Sequence, residues 1–398
     1  MRTALPTFAV LLVMLISSPL LADGRIVNVA DDAELKAALA DAKPGDTIRL
    51  TGKEYHRVYC VGPHGDPRHD VTIESATSQP ATFLGAGGTG MQFCQPSYLI
   101  IRNIIIRGST VNGLNIDDGG SITHPAYGIW LDNVQVLDTG PKGNFNGIKL
   151  SGVDTFNVIG CTVAGWGGSG IDMVGCHDGL ILSCKFRGKA EEGFSEERGI
   201  QMKGGSRNLH VKDCSFENGG VRAINIGGVT GLDFFRPPAS QADAYEAKDI
   251  LVETSTFVGS ESPIAFVGID GATVRYNTFY RPGKWIMRIL EESPPPRFVP
   301  CRNGEFYRNV IAFNKAALNP AVNVGEKTAP ETFHFSNNAW YRMDDPAASK
   351  PQLPAVEKDG FYGKDPKFED PANGDFHIHN WALYREAGFE AHSRMKTK

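Results

Sequence analysis

Asn157-Val158-Ile159-Gly160-Cys161, Leu180-Ile181-Leu182-Ser183-Cys184 and His210-Val211-Lys212-Asp213-Cys214 are three copies of one pattern. Each is a short alternating strand ending in a thiol, with a further apolar residue two positions on: Val163, Phe186 and Phe216. The pattern continues through Ser255-Thr256-Phe257, Asn277-Thr278-Phe279, Asn309 and Asn338-Ala339-Trp340. Upstream it covers Asn103-Ile104-Ile105 and Asn133-Val134-Gln135. Between positions 103, 133, 161, 184, 214, 255, 277, 309 and 338 the gaps are 30, 28, 23, 30, 41, 22, 32 and 29 residues. A unit of a little over 20 residues, lengthened by loops, gives that series.

A second column runs out of phase with the first. It comprises Ile148-Lys149-Leu150, Ile171-Asp172-Met173, Ile200-Gln201-Met202 and Ile224-Asn225-Ile226, and more loosely Ile264-Ala265-Phe266 and Ile286-Met287-Arg288. An apolar residue, an outward residue and another apolar residue make the period-two signature of a half-buried strand. Two strands per unit, neither able to bury its face alone, predict stacked coils about 4.8 Å apart. The fold expected is all-β, a right-handed parallel β-helix. Asn at the ladder position can hydrogen-bond buried turn backbone, and Cys or Ser suits the same slot as a small, weakly polar residue. Leucine-rich and propeller repeats are excluded, since neither Leu-x-x-Leu-x-Leu nor a Trp-Asp blade signature recurs.

The ends frame this solenoid. Residues 1–22 carry Arg2 and then an apolar run from Phe8 to Leu21, which reads as a cleavable signal peptide and implies a secreted or periplasmic protein. That run is shorter than the roughly 20 residues a spanning helix needs. Asp32 to Ala42 reads as an amphipathic helix with Leu35, Ala38, Leu39 and Ala42 on one face, placed to plug the first coil. The β-helix with its cap is assigned to residues 23–341, and 342–398 to a loop-rich C-terminal cover. Seven cysteines are an odd number for an exported chain, and three share the ladder position, so buried thiols are expected; Cys60 with Cys94 is the one pair suggested as a bridge. A net charge of -5 leaves no basic excess for nucleic acid. A monomer without membrane attachment after signal cleavage is expected.

Stacked coils put side chains far apart in sequence on one wall. The outward residues of the second column are Lys149, Asp172, Gln201, Asn225 and Arg288, with Lys203 two positions beyond Gln201. Residues entering those strands make another file: Asn146, Ser169, Arg198, Arg222, Ser262 and Lys284. Arg198, Lys203 and Arg222 thus cluster within one or two rungs, with Glu196, Glu197 and Asp172 nearby. The two largest interruptions, Gly227 to Asp249 and Glu291 to Asn303, follow the same column, and such long loops commonly carry function. The cluster suits an anionic sugar. β-Elimination of a uronate needs a cation on the carboxylate, a base for the neighbouring proton and an acid for the leaving oxygen. Arg grips a carboxylate with its planar fork, and Lys203 can serve as base if neighbouring cations favour its neutral form. Solvated charges on an exposed strand face are the plain alternative.

The block Glu196-Glu197-Arg198-Gly199-Ile200-Gln201-Met202-Lys203-Gly204-Gly205-Ser206, followed by Asn208 and the strand to Phe216, resembles the core of the chondroitinase B and alginate lyase family, within the pectate-lyase-like superfamily. The resemblance implies Lys203 as base, Glu196 and Glu197 on a calcium side, and a catalytic arginine one rung on. The sequence departs from the family where Met202 and Gly204 flank the lysine and where Ile226-Gly227-Gly228 replaces an Arg-His-Gly strand end, so Arg222 or Arg198 would act from a displaced position. With Asp172, the two glutamates are the expected calcium ligands.

Other signals are weaker. Asp117-Asp118 with Asp172 could form a hydrolase pair, but the Asn-Thr-Asp, Gly-His-Gly and Arg-Ile-Lys motifs of polygalacturonases are absent. Asp66-Pro67-Arg68-His69-Asp70 distantly resembles a mannuronan epimerase motif, and reads as a turn. Gly85-Ala86-Gly87-Gly88-Thr89-Gly90 matches a dinucleotide loop without the helix that should follow. Trp166 and Trp285 stand at turns beside the column, where each could stack on a sugar or pack inside. Three functions remain open: an acidic-polysaccharide lyase, a glycoside hydrolase on the same face, and a non-catalytic glycan-binding protein.

Overall fold

The computed structural model describes residues 24–380 and 383, apart from 190–194, 196, 240–242, 294–296 and 315–320. The expected signal peptide lies outside the described residues. A helix, Asp32–Ala40, opens the solenoid; the Asp31 side chain accepts hydrogen bonds from the Ala33 and Glu34 N–H groups at its N-terminus. Leu35 and Leu39 bury against the first coil, with Ala38 and Ala42 packed beside them.

Two parallel sheets follow, one of 22 strands and one of 10. From Val153 onward the coils of the larger sheet contribute a longer and a shorter strand, such as Val153–Ile159 and Thr162–Ala164, bent apart at a residue in the left-handed region. That bend recurs at the same place in successive coils: Gly160 (φ 61), Ser183 (φ 54), Asp213 (φ 52), Thr254 (φ 49), Tyr276 (φ 56) and Arg308 (φ 53). The smaller sheet closes the coil, running from Val58–Val61 to Val322–Val324.

The residue after the bend points inward and forms the ladder. Cys161, Cys184, Cys214, Ser255, Asn277, Asn309 and Asn338 are all essentially buried. Asn309 Oδ1 accepts from the Asn277 N–H at 3.0 Å, and Asn338 Oδ1 from the Asn309 N–H at 3.0 Å. Burial and neighbouring sulfurs push the Cys161 and Cys184 thiols up, leaving them protonated and inert. Two positions on, Phe186, Phe216, Phe257 and Phe279 stack with centroids 4.7, 4.7 and 4.8 Å apart, which is the rung spacing. The end of the ladder is met by Glu357, which accepts from Asn338 Nδ2, Trp340 Nε1 and the Tyr362 hydroxyl.

Two expectations need correction here. Asn103 (φ 54) and Asn133 (φ 51) occupy the bend itself, and Ile104 and Val134 take the inward slot. Cys60 and Cys94 are free thiols. Cys60 pairs with Phe93 and Cys94 with Val61, so the two thiols leave opposite faces of the strand pair and cannot bridge.

Beyond Ala339–Arg342 the strand Phe361–Tyr362 adds one more parallel pairing, and an antiparallel pair, Phe368–Asp370 with Asp375–Ile378, covers the end. Phe361, Phe368, Ile378 and Leu383 pack there on Val310 and Ala339. Among the described residues, no helix is long and apolar enough to cross a membrane.

Candidate functional site

The smaller sheet sends Ile148, Leu150, Ile171, Met173, Ile200, Met202, Ile224 and Ile226 into the core, each 0% exposed. Alternation therefore turns the residues between them outward. Register joins Asn115, Lys149, Asp172, Gln201, Asn225, Ala265, Arg288 and Asn323 in one file, one residue per rung. A second file runs Ser169, Arg198, Arg222 and Ser262. Trp285, two residues before Met287, continues it where Lys284 was expected, because Met287 is the partner of Ile264.

The charges on this wall are mutually engaged. Lys149 Nζ donates to Asp172 Oδ2 at 2.7 Å, and Lys203 Nζ lies 3.9 Å from Asp172 Oδ1. That Oδ1 is buried without a hydrogen-bond donor among the described residues. Arg222 donates to Asn225 Oδ1 at 2.8 Å and to Glu292 Oε1 at 2.9 Å. Arg198 donates to Glu197 at 3.1 Å, while its buried Nε has no partner among the described residues. Arg288 donates to Asn323 Oδ1 at 3.0 Å and lies over the Trp285 ring. Lys203, Arg222, Arg198, Lys149, Gln201, Asn225, Asp172 and Arg288 thus share one wall.

Two loops roof it. Gly228 (φ 150) passes so near that a β-carbon would stand 2.5 Å from Gln201 Nε2, which only glycine permits. Glu246, at the far end of that loop, accepts from Gly204 N–H, Thr230 N–H and hydroxyl, and the Ser293 hydroxyl of the other loop. Burial pushes the Glu246 carboxyl up. It pushes Glu291 up to about 7, with Glu246 and Glu292 adding repulsion. Arg236 anchors the first loop: its guanidinium grips both oxygens of Asp154 at 3.1 and 2.9 Å and the Gly175 carbonyl at 2.8 Å. Burial raises the Asp154 carboxyl, but hydrogen bonds from His177 and Arg236 outweigh it and hold it low.

Four expected site residues fare differently. Trp166 is 0% exposed inside the core and cannot meet a sugar. Gly165 (φ 69) makes a corner after which the chain points inward, as Ser109 and Thr139 also do. Glu196 lies outside the described residues. Glu197 faces Arg198, and Asp172 is flanked by two ammonium groups. Among the described residues no cluster of three His, Cys, Asp or Glu could hold a metal. Sequence reasoning missed Glu246, Glu291 and Glu292, whose signal was their place at the ends of the two longest interruptions.

A family model described as right handed beta helix region matches residues 146–339. The chain is a right-handed parallel β-helix protein. Among solved structures, this β-helix is similar to a pectate lyase, at 13% identity and a TM-score of 0.55, covering 88% of this chain and 85% of that one. It is similar to a mannuronic acid specific polysaccharide family 6 lyase from human gut microbiota, at 13% identity and a TM-score of 0.54, covering 85% and 87%. A lacto-N-biosidase from Eubacterium ramulus shares 13% identity at a TM-score of 0.52, covering 85% and 68%. No curated protein matches the sequence. At such identities the likeness is one of fold.

Proposed function

We propose that this β-helix is an exported polysaccharide lyase that cleaves an acidic, uronate-containing glycan on the outer wall of its smaller sheet. The observation carrying this reading is that Arg198 and Lys203 stand at the two ends of one strand and Arg222 on the next rung, beneath the two longest loops. Among the described residues Lys203 Nζ has a long 3.9 Å contact with Asp172, so it can reach a substrate proton. As base, after losing its ammonium proton to solvent, it takes the proton beside the uronate carboxylate. That C–H pair becomes the new double bond, and the glycosidic oxygen departs with a proton from solvent. Arg222, aided by Arg198, neutralises the carboxylate and spreads the charge that develops there. Asn225, expected to meet the sugar, is instead buried, accepting from Arg222 and donating to the Gly227 carbonyl, so it positions the arginine, and Gln201 is buried beside it. The fold shared with two polysaccharide lyases supports the assignment, and the apolar leader expected at residues 1–22 supports export.

The test is incubation with alginate, pectate, chondroitin and fucoidan, with and without calcium, following the ultraviolet absorbance of unsaturated uronate. One uronate polymer should give the chromophore, and Lys203→Ala should lower the rate about 100-fold or more. No chromophore from any uronate polymer sinks elimination. New reducing ends without it, abolished in Asp172→Asn and kept in Lys203→Ala, would establish hydrolysis instead.

A further inference from the structure

Most cations on the wall have a carboxylate: Lys149 and Lys203 share Asp172, Arg222 has Glu292, and Arg198 has Glu197. Arg288 has none among the described residues; its bond is to the neutral amide of Asn323 at 3.0 Å. It is half-buried; burial first and the nearby Arg222 second disfavour its charge, and the more distant Glu292 and Glu261 offset them only in part. Beside it, Trp285 gathers a second cation: Lys284 Nζ lies 4.2 Å from the ring centroid and the Arg288 guanidinium carbon 4.6 Å. Among the described residues Lys284 reaches a distant, exposed partner, Glu261 at 3.8 Å. Ala265, the rung between Asn225 and Arg288, is buried beside Val267 and Leu290 and brings no charge. A half-buried guanidinium with no carboxylate in direct contact among the described residues, near two more cations, is stabilised by an anion from outside.

We propose that Arg288 and Lys284, positioned by Trp285, form a second anion subsite that holds the carboxylate or sulfate ester of another sugar unit of the chain. The subsite stands three rungs from Lys203, roughly 14 Å along the wall. This rests on the reading of the wall as an acidic-glycan site, and extends it: the protein grips a polymer at two anionic units, so short substrates are held poorly.

Calorimetric titration of the full protein with an oligomannuronate tetrasaccharide, a sulfated tetrasaccharide and a neutral cello-oligosaccharide tests it. The anionic ligands should bind and the neutral one should not, and the stronger of the two identifies the anion. Arg288→Gln should weaken the anionic ligand at least tenfold, Arg288→Lys less, and Trp285→Phe by an intermediate factor. Equal affinity of wild type and Arg288→Gln, or equal binding of the neutral sugar, overturns the subsite. Should Arg288→Gln not fold, Lys284→Gln at the exposed end decides: several-fold weaker anion binding supports the subsite and no change removes it. Binding with these losses but without any unsaturated product would sink the lyase reading and leave the subsite standing.

Discussion

Replacing Glu291 by Gln should make this β-helix more stable in alkali and leave it unchanged in mild acid. Glu291 ends the strand Met287–Leu290 and begins the second roof loop. Its Oε1 accepts from the Ser293 N–H at 3.0 Å, and its Oε2 is buried with no donor among the described residues. Burial, with Glu246 and Glu292 close by, moves the carboxyl from 4.5 to about 7. Because the folded value is the higher one, the folded protein holds a proton that the unfolded chain has lost. Stability is therefore full below about pH 4.5 and falls as pH rises through 7. At about 1.4 kcal/mol per unit the displacement would be worth about 3 kcal/mol at full burial. Partial exposure screens the charge, so about 2 kcal/mol is expected. Gln is isosteric with the protonated acid and places a donor where the orphaned Oε2 stands. Urea unfolding of both proteins at pH 4, 5, 6, 7 and 8 should give nearly matching curves at pH 4. By pH 8 the Gln variant should lead by about 2 kcal/mol. A difference that is the same at pH 5 and pH 8 would refute the argument, for then the carboxyl does not titrate in this range.

Asn309→Ala removes an acceptor for both the N–H and Nδ2 of Asn277, each at 3.0 Å, inside the ladder. It should cost about 3 kcal/mol in urea unfolding, and a loss under 1 kcal/mol would mean that the ladder bonds do not hold adjacent coils. Arg236→Ala should free the first roof loop by undoing its grip on Asp154, Gly175 and Ile122. Chymotrypsin should then cut at the exposed Phe234 severalfold faster, whereas an unchanged cleavage rate would show that the loop is held by other contacts.

The solenoid was legible because a stacked coil imposes the same demand at every rung. From Cys161 onward the inward slot after the bend holds small or amide side chains, and so Cys161, Cys184, Cys214, Ser255, Asn277, Asn309 and Asn338 recur at repeat spacing. The one-residue error at Asn103 and Asn133 has a physical root. Asn is favoured both in that buried slot and in the left-handed bend just before it, where both residues sit. Composition cannot separate the two roles; the apolar residues Ile104 and Val134 that follow could have. Trp166 misled for a related reason, since a turn residue after a left-handed glycine can be aimed inward.

The wall itself followed from alternation alone, but its electrostatics did not, and the difference lies in what repetition can encode. Period two fixes which side chains leave the sheet, so the file from Lys149 to Arg288 was readable before any coordinates. Which of those cations is neutralised depends on residues that no period announces. Glu292 arrives from the second loop to pair Arg222, while Glu246 spends its hydrogen bonds on Gly204, Thr230 and Ser293 and pairs no cation among the described residues. The roof thereby sorts a nominally uniform basic stripe into engaged and open positions. Arg288, a rung beyond the small Ala265, has no carboxylate in direct contact among the described residues. On the proposed reading, a polymer carrying an anion on each unit would meet a graded wall, with an electrostatic hold three rungs from Lys203, and that displacement would set the shortest chain held well.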